Sequence, residues 1–164
     1  MPTKIHWIYQ FENKARIGIM ARPRGNEWLE DEIKHLKYSN VNTLISLLES
    51  DEVDDVNLGE EDFFCSRYHI GFINFPIRDR SIPMINEDVD MFIVNLGDKL
   101  EKGASIVIHC RMGIGRSSII AGAVLLKFGF SATDIMKIIS SARGISVPDT
   151  EEQLDWLQAR EKQV

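Results

Sequence analysis

Ten consecutive residues, His109-Cys110-Arg111-Met112-Gly113-Ile114-Gly115-Arg116-Ser117-Ser118, bring a thiol, paired glycines, an arginine and hydroxyls together. The Ile- and Val-rich run 105–109 before Cys110 reads as a short strand, and the mostly apolar run 117–128 as a helix, so Cys110 is delivered to a strand-to-helix turn. Two glycines let the backbone fold tightly there. Successive amide N–H groups, helped by the positive end of the helix, then converge on one anion. The same donors favour the thiolate of Cys110, a nucleophile that needs no dedicated base. Arg116 offers a planar fork for two phosphate oxygens, and the Ser117 hydroxyl is placed to donate to a departing sulfur. Residue types and spacing thus describe phosphoryl transfer: attack by Cys110, with the main chain of Arg111, Met112, Gly113, Ile114, Gly115 and Arg116 and the Arg116 side chain holding the phosphate. A lone cysteine at a strand end is more often a packed small hydrophobe, but the Cys-x5-Arg-Ser spacing with paired glycines reverses that reading. Competing glycine motifs fail. Ser118 stands where a dinucleotide loop has its third glycine, and no Gly-Lys-Ser/Thr occurs.

The elements that must position this loop are legible in outline. Two short strands, around 5–11 and 17–20, are joined by the polar turn Glu12-Asn13-Lys14. Asn26 is expected to cap a helix carrying Leu29, Ile33 and Leu36 at helical spacing. Strands follow over 41–48 and 69–77. Between them, residues 49–62 hold eight acidic residues interrupted by Gly59, expected to be a solvated loop running into a short helix. Asn86 is expected to cap a helix with Val89, Phe92, Leu96 and Leu100 on one face. Ser131-Ala-Thr-Asp134 reads as a capping box for a helix burying Ile135, Ile138 and Ile139, and Asp149-Thr-Glu-Glu152 opens the last helix in the same manner. Strands alternating with helices favour an α/β fold with a central, mainly parallel sheet flanked by helices, whose ligands sit at the carboxyl ends of the strands.

Composition bounds the rest. At 164 residues and 44% hydrophobic, the chain reads as one domain, 1–164, with one substantial core. A net charge of −6 argues against nucleic-acid or anionic-membrane binding. The two cysteines, Cys65 and Cys110, form no CxxC pair, which argues against a disulfide framework or a zinc site and for a reducing, cytoplasmic setting. No apolar run approaches the roughly 18 residues of a membrane span. No metal and no cofactor are expected.

His-Cys-x5-Arg-Ser resembles the signature of the protein tyrosine phosphatase superfamily, and the compact size and the arginine after the cysteine resemble its small dual-specificity branch. The resemblance covers roughly 41–153. It implies the phosphatase-like α/β fold and hydrolysis of phosphotyrosine, and of phosphoserine or phosphothreonine, in phosphorylated protein substrates through a phosphocysteine. It also assigns Asp79, in Phe75-Pro76-Ile77-Arg78-Asp79-Arg80-Ser81-Ile82-Pro83, as general acid on a mobile loop. From the residues alone, an aspartate between two arginines is more often a surface ion-pair member. Gln153 is implied as a positioner of the hydrolytic water, although a capping box explains the same stretch, and His109 as support for the loop and the thiolate. Arg78 and Arg80 attract a dianion or are simply solvated. Some family members protect the nucleophile by an internal disulfide, which would make Cys65 a redox partner, its following strand running beside the catalytic one; the alternative is a buried helix cysteine. No phosphotyrosine-recognition loop is found, which implies a shallow pocket. The alternatives are a phosphoinositide or other small-molecule phosphatase of the same superfamily and a phospho-binding pseudophosphatase. The Met112 and Ile114 side chains in the loop, where polyanions call for lysine, favour phosphoprotein.

Overall fold

The computed structural model describes residues 1–84 and 87–164. The strands are β1 (His6–Gln10), β2 (Arg16–Met20), β3 (Thr43–Ser46), β4 (Gly71–Asn74) and β5 (Ile106–His109). The helices are α1 (Leu29–Tyr38), α2 (Ser50–Asp55), α3 (Glu61–Arg67), α4 (Glu87–Glu101), α5 (Arg116–Leu126), α6 (Ala132–Arg143) and α7 (Glu151–Glu161). The strands form one sheet in the order β1-β2-β5-β3-β4. β1 is antiparallel to β2, and every other pairing is parallel, as expected for α/β alternation. β5 therefore lies between two parallel neighbours, with His109 level with Met20 on one side and Ser46 on the other.

Strand periodicity divides the core in two. Ile106 and Ile108 of β5 face a cluster built with Ile17, Ile19 and Ile45 and the helices α4, α5 and α6, while Val107 faces Met20, Leu44, Ile33 and Leu36. Each aliphatic side chain buried completely in these clusters contributes about 1.5–3 kcal/mol. Every residue of α5 is buried, including Arg116, Ser117 and Ser118 at its start. Gly122 admits this packing: a Cβ there would lie 3.0 Å from Leu157 and 3.1 Å from Ile135. No helix of the described residues is long and apolar enough to cross a membrane.

Four local expectations need correction or qualification. Asn26 does not cap α1; it sits at φ 54° in a 3-10 turn, Asn26–Trp28, that leads directly into the helix. The expected cap Asn86 lies outside the described residues, although Val89, Phe92, Leu96 and Leu100 are buried along α4 as their spacing required. The cap of α7 is Thr150, not Asp149, because Thr150 accepts from the Gln153 amide and the Gln153 side chain returns to the Thr150 backbone. Finally, the acidic segment is not solvated throughout. It forms α2 and α3, and Glu52 and Glu61 turn inward and are buried.

Candidate active site

β5 ends at His109 and α5 begins at Arg116, so the intervening turn projects from the carboxyl edge of the sheet. Its conformation is imposed from outside. The Arg22 amide donates to the Arg111 carbonyl at 3.2 Å. The Arg143 guanidinium, in the last turn of α6, donates to the carbonyls of Met112 at 3.0 Å and Gly113 at 3.1 Å. Three consecutive carbonyls are thereby engaged on the outer side. Among the described residues, no main-chain N–H from Arg111 to Arg116 donates to a protein acceptor. Buried backbone donors are rarely left unpaired, and such a run forms a nest for an anion.

Gly113 is required here. Its φ is 71°, and a Cβ on it would lie 2.6 Å from the Met20 carbonyl carbon. Gly113→Ala is expected to lower stability by about 3 kcal/mol, combining left-handed strain with overpacking; urea denaturation checks this. The segment from Met20 to Arg22 thus braces the loop from behind.

Cys110 is 2% exposed, and its Sγ lies 3.3 Å from the Ser117 hydroxyl oxygen. Arg116 is equally buried. Its Nη1 donates to Glu52 Oε1 at 2.6 Å and to the Ile77 carbonyl at 2.8 Å; Nη2 donates to Glu52 Oε2 at 2.9 Å and to Asp79 Oδ1 at 3.1 Å. Burial disfavours the guanidinium charge, but the Glu52 hydrogen bonds and the charges of Cys110, Glu52 and Asp79 outweigh it and hold the Arg116 pKa above its ordinary value. Glu52 shows the reciprocal balance. Desolvation raises its pKa, while Arg116, the Glu49 amide and Arg111 lower it further, so the net direction is down. This brace is therefore fully present above the ordinary carboxylate range and is lost as pH falls through the lowered value.

Asp79 comes two residues after Ile77, whose N–H donates to the carbonyl of Leu47, just past β3, at 3.0 Å. The aspartate itself is more than half exposed and pairs with Arg116 at 3.1 Å. Arg80 pairs with Asp149 at 3.5 Å across the mouth. Arg78 is exposed. Gln153 is fully buried, with Oε1 accepting from the amides of Asp149 at 3.0 Å and Thr150 at 3.2 Å, and Nε2 donating to the Ser81 carbonyl at 3.0 Å. It also lies against Gly115, where a Cβ would meet its Oε1 at 2.8 Å. Gln153 thus ties the Asp79 loop to α7 and to the phosphate loop. His109 is buried, bonded to Glu61 at 2.5 Å. Together Cys110, Arg116, Asp79, Arg80, Met112 and Gln153 line one small cleft.

Glu52, Glu61 and Arg143 were not singled out from sequence. Glu52 with Val56, the buried residue that ends α2, and Glu61 with Cys65 of α3 fall four residues apart and face inward. An acid on an otherwise apolar stripe needs a buried cation, and that was the available signal. Cys65 is buried in α3 within the core cluster on the Val107 side of the sheet, whereas Cys110 packs with the other cluster. The strand after it, β4, pairs with β3 and not with β5, and both thiols are free. Burial, then the charges of Glu61 and Asp62, pushes the Cys65 thiol up to about 12.

Residues 18–130 match the family model described as "Polymorphic toxin system, DSP-PTPase phosphatase". No curated protein matches the sequence. Among solved structures, kinase-associated phosphatase with a serine in place of its catalytic-site cysteine superposes with a TM-score of 0.87 at 18% identity, over 99% of this chain and 96% of that one. The active form of Tk-PTP gives 0.76 at 19% identity, over 97% and 98%. PTPMT1 gives 0.74 at 16% identity, over 98% and 95%. At these identities the likeness concerns the fold. Taken with the family match over most of its length, it places this chain in the DSP-PTPase family, as a cysteine-based small dual-specificity phosphatase of the protein tyrosine phosphatase superfamily.

Proposed function

We propose that residues 1–164 form one phosphatase domain that hydrolyses phosphate monoesters on tyrosine, and on serine or threonine, of phosphorylated proteins. The observation that carries this reading is the junction of β5 and α5, where the Cys110 sulfur, the Arg116 fork and a run of unpartnered amides surround one small cleft. A phosphate seated there meets amide donors from Arg111 to Arg116 and takes over the Arg116 Nη2 contact made with Asp79.

The Cys110 thiolate attacks phosphorus, the bond from phosphorus to the ester oxygen breaks, and Asp79 gives its proton to that oxygen. Water then attacks the phosphocysteine, Asp79 takes its proton, and inorganic phosphate leaves as the thiolate re-forms. The Ser117 hydroxyl, 3.3 Å from the sulfur, donates to the departing thiolate. Arg116 and the amides hold the equatorial oxygens through both steps. Gln153 is engaged by Asp149, Thr150 and Ser81. Its contribution is to set the Asp79 loop at the right height, with its remaining N–H for the water.

Phosphoprotein is favoured over phosphoinositide by the charges at the mouth. No lysine lines the cleft, and α2 brings Asp55 to 4.0 Å from Arg111, which disfavours a polyanionic headgroup. Comparison of phosphotyrosine and phosphothreonine peptides with phosphoinositide vesicles, in chelator, tests the assignment. Higher kcat/KM on the peptides is expected; preference for the vesicles would replace this reading with the lipid one. Asp79→Asn is expected to lower kcat on alkyl phosphoesters about 10²–10³-fold and to remove the general-acid limb of the pH–rate profile. Full activity with the normal profile would remove Asp79 from this role.

A further inference from the structure

One buried carboxylate has no part in the steps above. Glu61, in the first turn of α3, is 2% exposed, and its Oε1 lies 2.5 Å from His109 Nε2. The other ring nitrogen, Nδ1, lies 3.2 Å from the carbonyl oxygen of Cys110. Two acceptors face the two ring nitrogens, and a ring with a proton on each satisfies both. The main chain of His109 is already fixed, because its carbonyl accepts from the Leu47 amide at 3.0 Å and its strand is paired on both sides. Only the side-chain torsions of the imidazole remain free, and Glu61 sets them.

We propose that Glu61 is a positioning residue for the nucleophile: acting through His109, it fixes the imidazole that holds the Cys110 carbonyl turned away from the phosphate loop. The other charges around the pair do not substitute for it. Arg116 is taken by Glu52 and Asp79, Arg111 faces Asp55, and Glu60 and Asp62 beside Glu61 are exposed. The α3 helix, built from a segment that reads as surface, would thus reach into the chemistry without touching substrate. This inference rests on the assignment of Cys110 as nucleophile.

The test compares wild type, Glu61→Gln, His109→Asn and the double variant. Aryl phosphate turnover, competitive inhibition by inorganic phosphate and the rate of Cys110 alkylation by iodoacetate are measured at one slightly acidic pH. In Glu61→Gln, kcat and the alkylation rate are expected to fall together by about tenfold, with inhibition by phosphate changed less than about twofold. The double variant is expected to be no worse than His109→Asn, because Glu61 acts only through that ring. Should Glu61→Gln not fold, Glu61→Asp keeps the charge on a shorter arm, and a smaller parallel loss of kcat and alkylation is expected. Wild-type rates in the Glu61 variants would overturn the proposal. So would a loss of activity matched by equal loss of phosphate binding, which means packing alone. Alkylation needs no turnover, so a wild type that hydrolyses nothing would overturn the phosphatase reading and leave the Glu61 result readable.

Discussion

Cys110→Ser is expected to lose at least about 10⁴-fold in kcat on an aryl phosphate, while inorganic phosphate still raises its melting temperature. The two halves of this result have separate causes. Activity falls because a serine hydroxyl in the same place stays protonated, and its neighbour Ser117 is another hydroxyl, too weak a base to take the proton. Binding persists because the phosphate is held by groups the substitution leaves alone, the amides from Arg111 to Arg116 and the Arg116 fork. The fold should be retained, since the exchange replaces sulfur by oxygen in a site that already offers a hydroxyl partner. Differential scanning calorimetry with and without phosphate, beside the activity assay, reads both halves. Equal activity in the variant would mean a different nucleophile.

Arg116→Lys is expected to cost about 10³-fold in kcat, with a smaller change in KM. An ammonium supplies charge but not a planar fork, and with three N–H donors it cannot hold Glu52 and the Ile77 carbonyl while also gripping two phosphate oxygens. Lysine is the informative replacement because it keeps a cation against Glu52. Removing the charge altogether would strand a buried carboxylate, a loss of about 3–5 kcal/mol that confuses chemistry with folding. Steady-state kinetics on the same aryl phosphate check the outcome, and an effect confined to KM would assign Arg116 to ground-state binding alone.

The phosphate loop was legible because its chemistry is local. Cys110, the two glycines and Arg116 lie within a few residues, and the strand before and the helix after them carry plain apolar patterns. The same holds for the parallel sheet, where short Ile- and Val-rich strands alternate with amphipathic helices. What was not legible is what reaches the loop from a distance. Glu52 meets Arg116 from 64 residues away and Glu61 meets His109 from 48 away. In a segment with eight acids, nothing but the helical phase separates the two inward carboxylates from the solvated rest. Arg143 escaped notice for a similar reason: a basic residue in the last turn of a helix is explained locally by the helix dipole, and its bonds to Met112 and Gly113 exist only in the fold. The caps of α1 and α7 were misplaced because turn geometry chose among adjacent polar residues. Asn26 takes a positive φ, and Gln153 selects Thr150.

The most direct test of the account is to quench the wild-type protein with acid during turnover of an aryl phosphate and to map the digest by mass spectrometry. The account predicts a phosphate-sized mass increase on the peptide containing Cys110, absent from Cys110→Ser, and lost on incubation as the thiophosphate hydrolyses. Turnover with no phosphorylated peptide under rapid quench, or phosphate on any other residue, would contradict it.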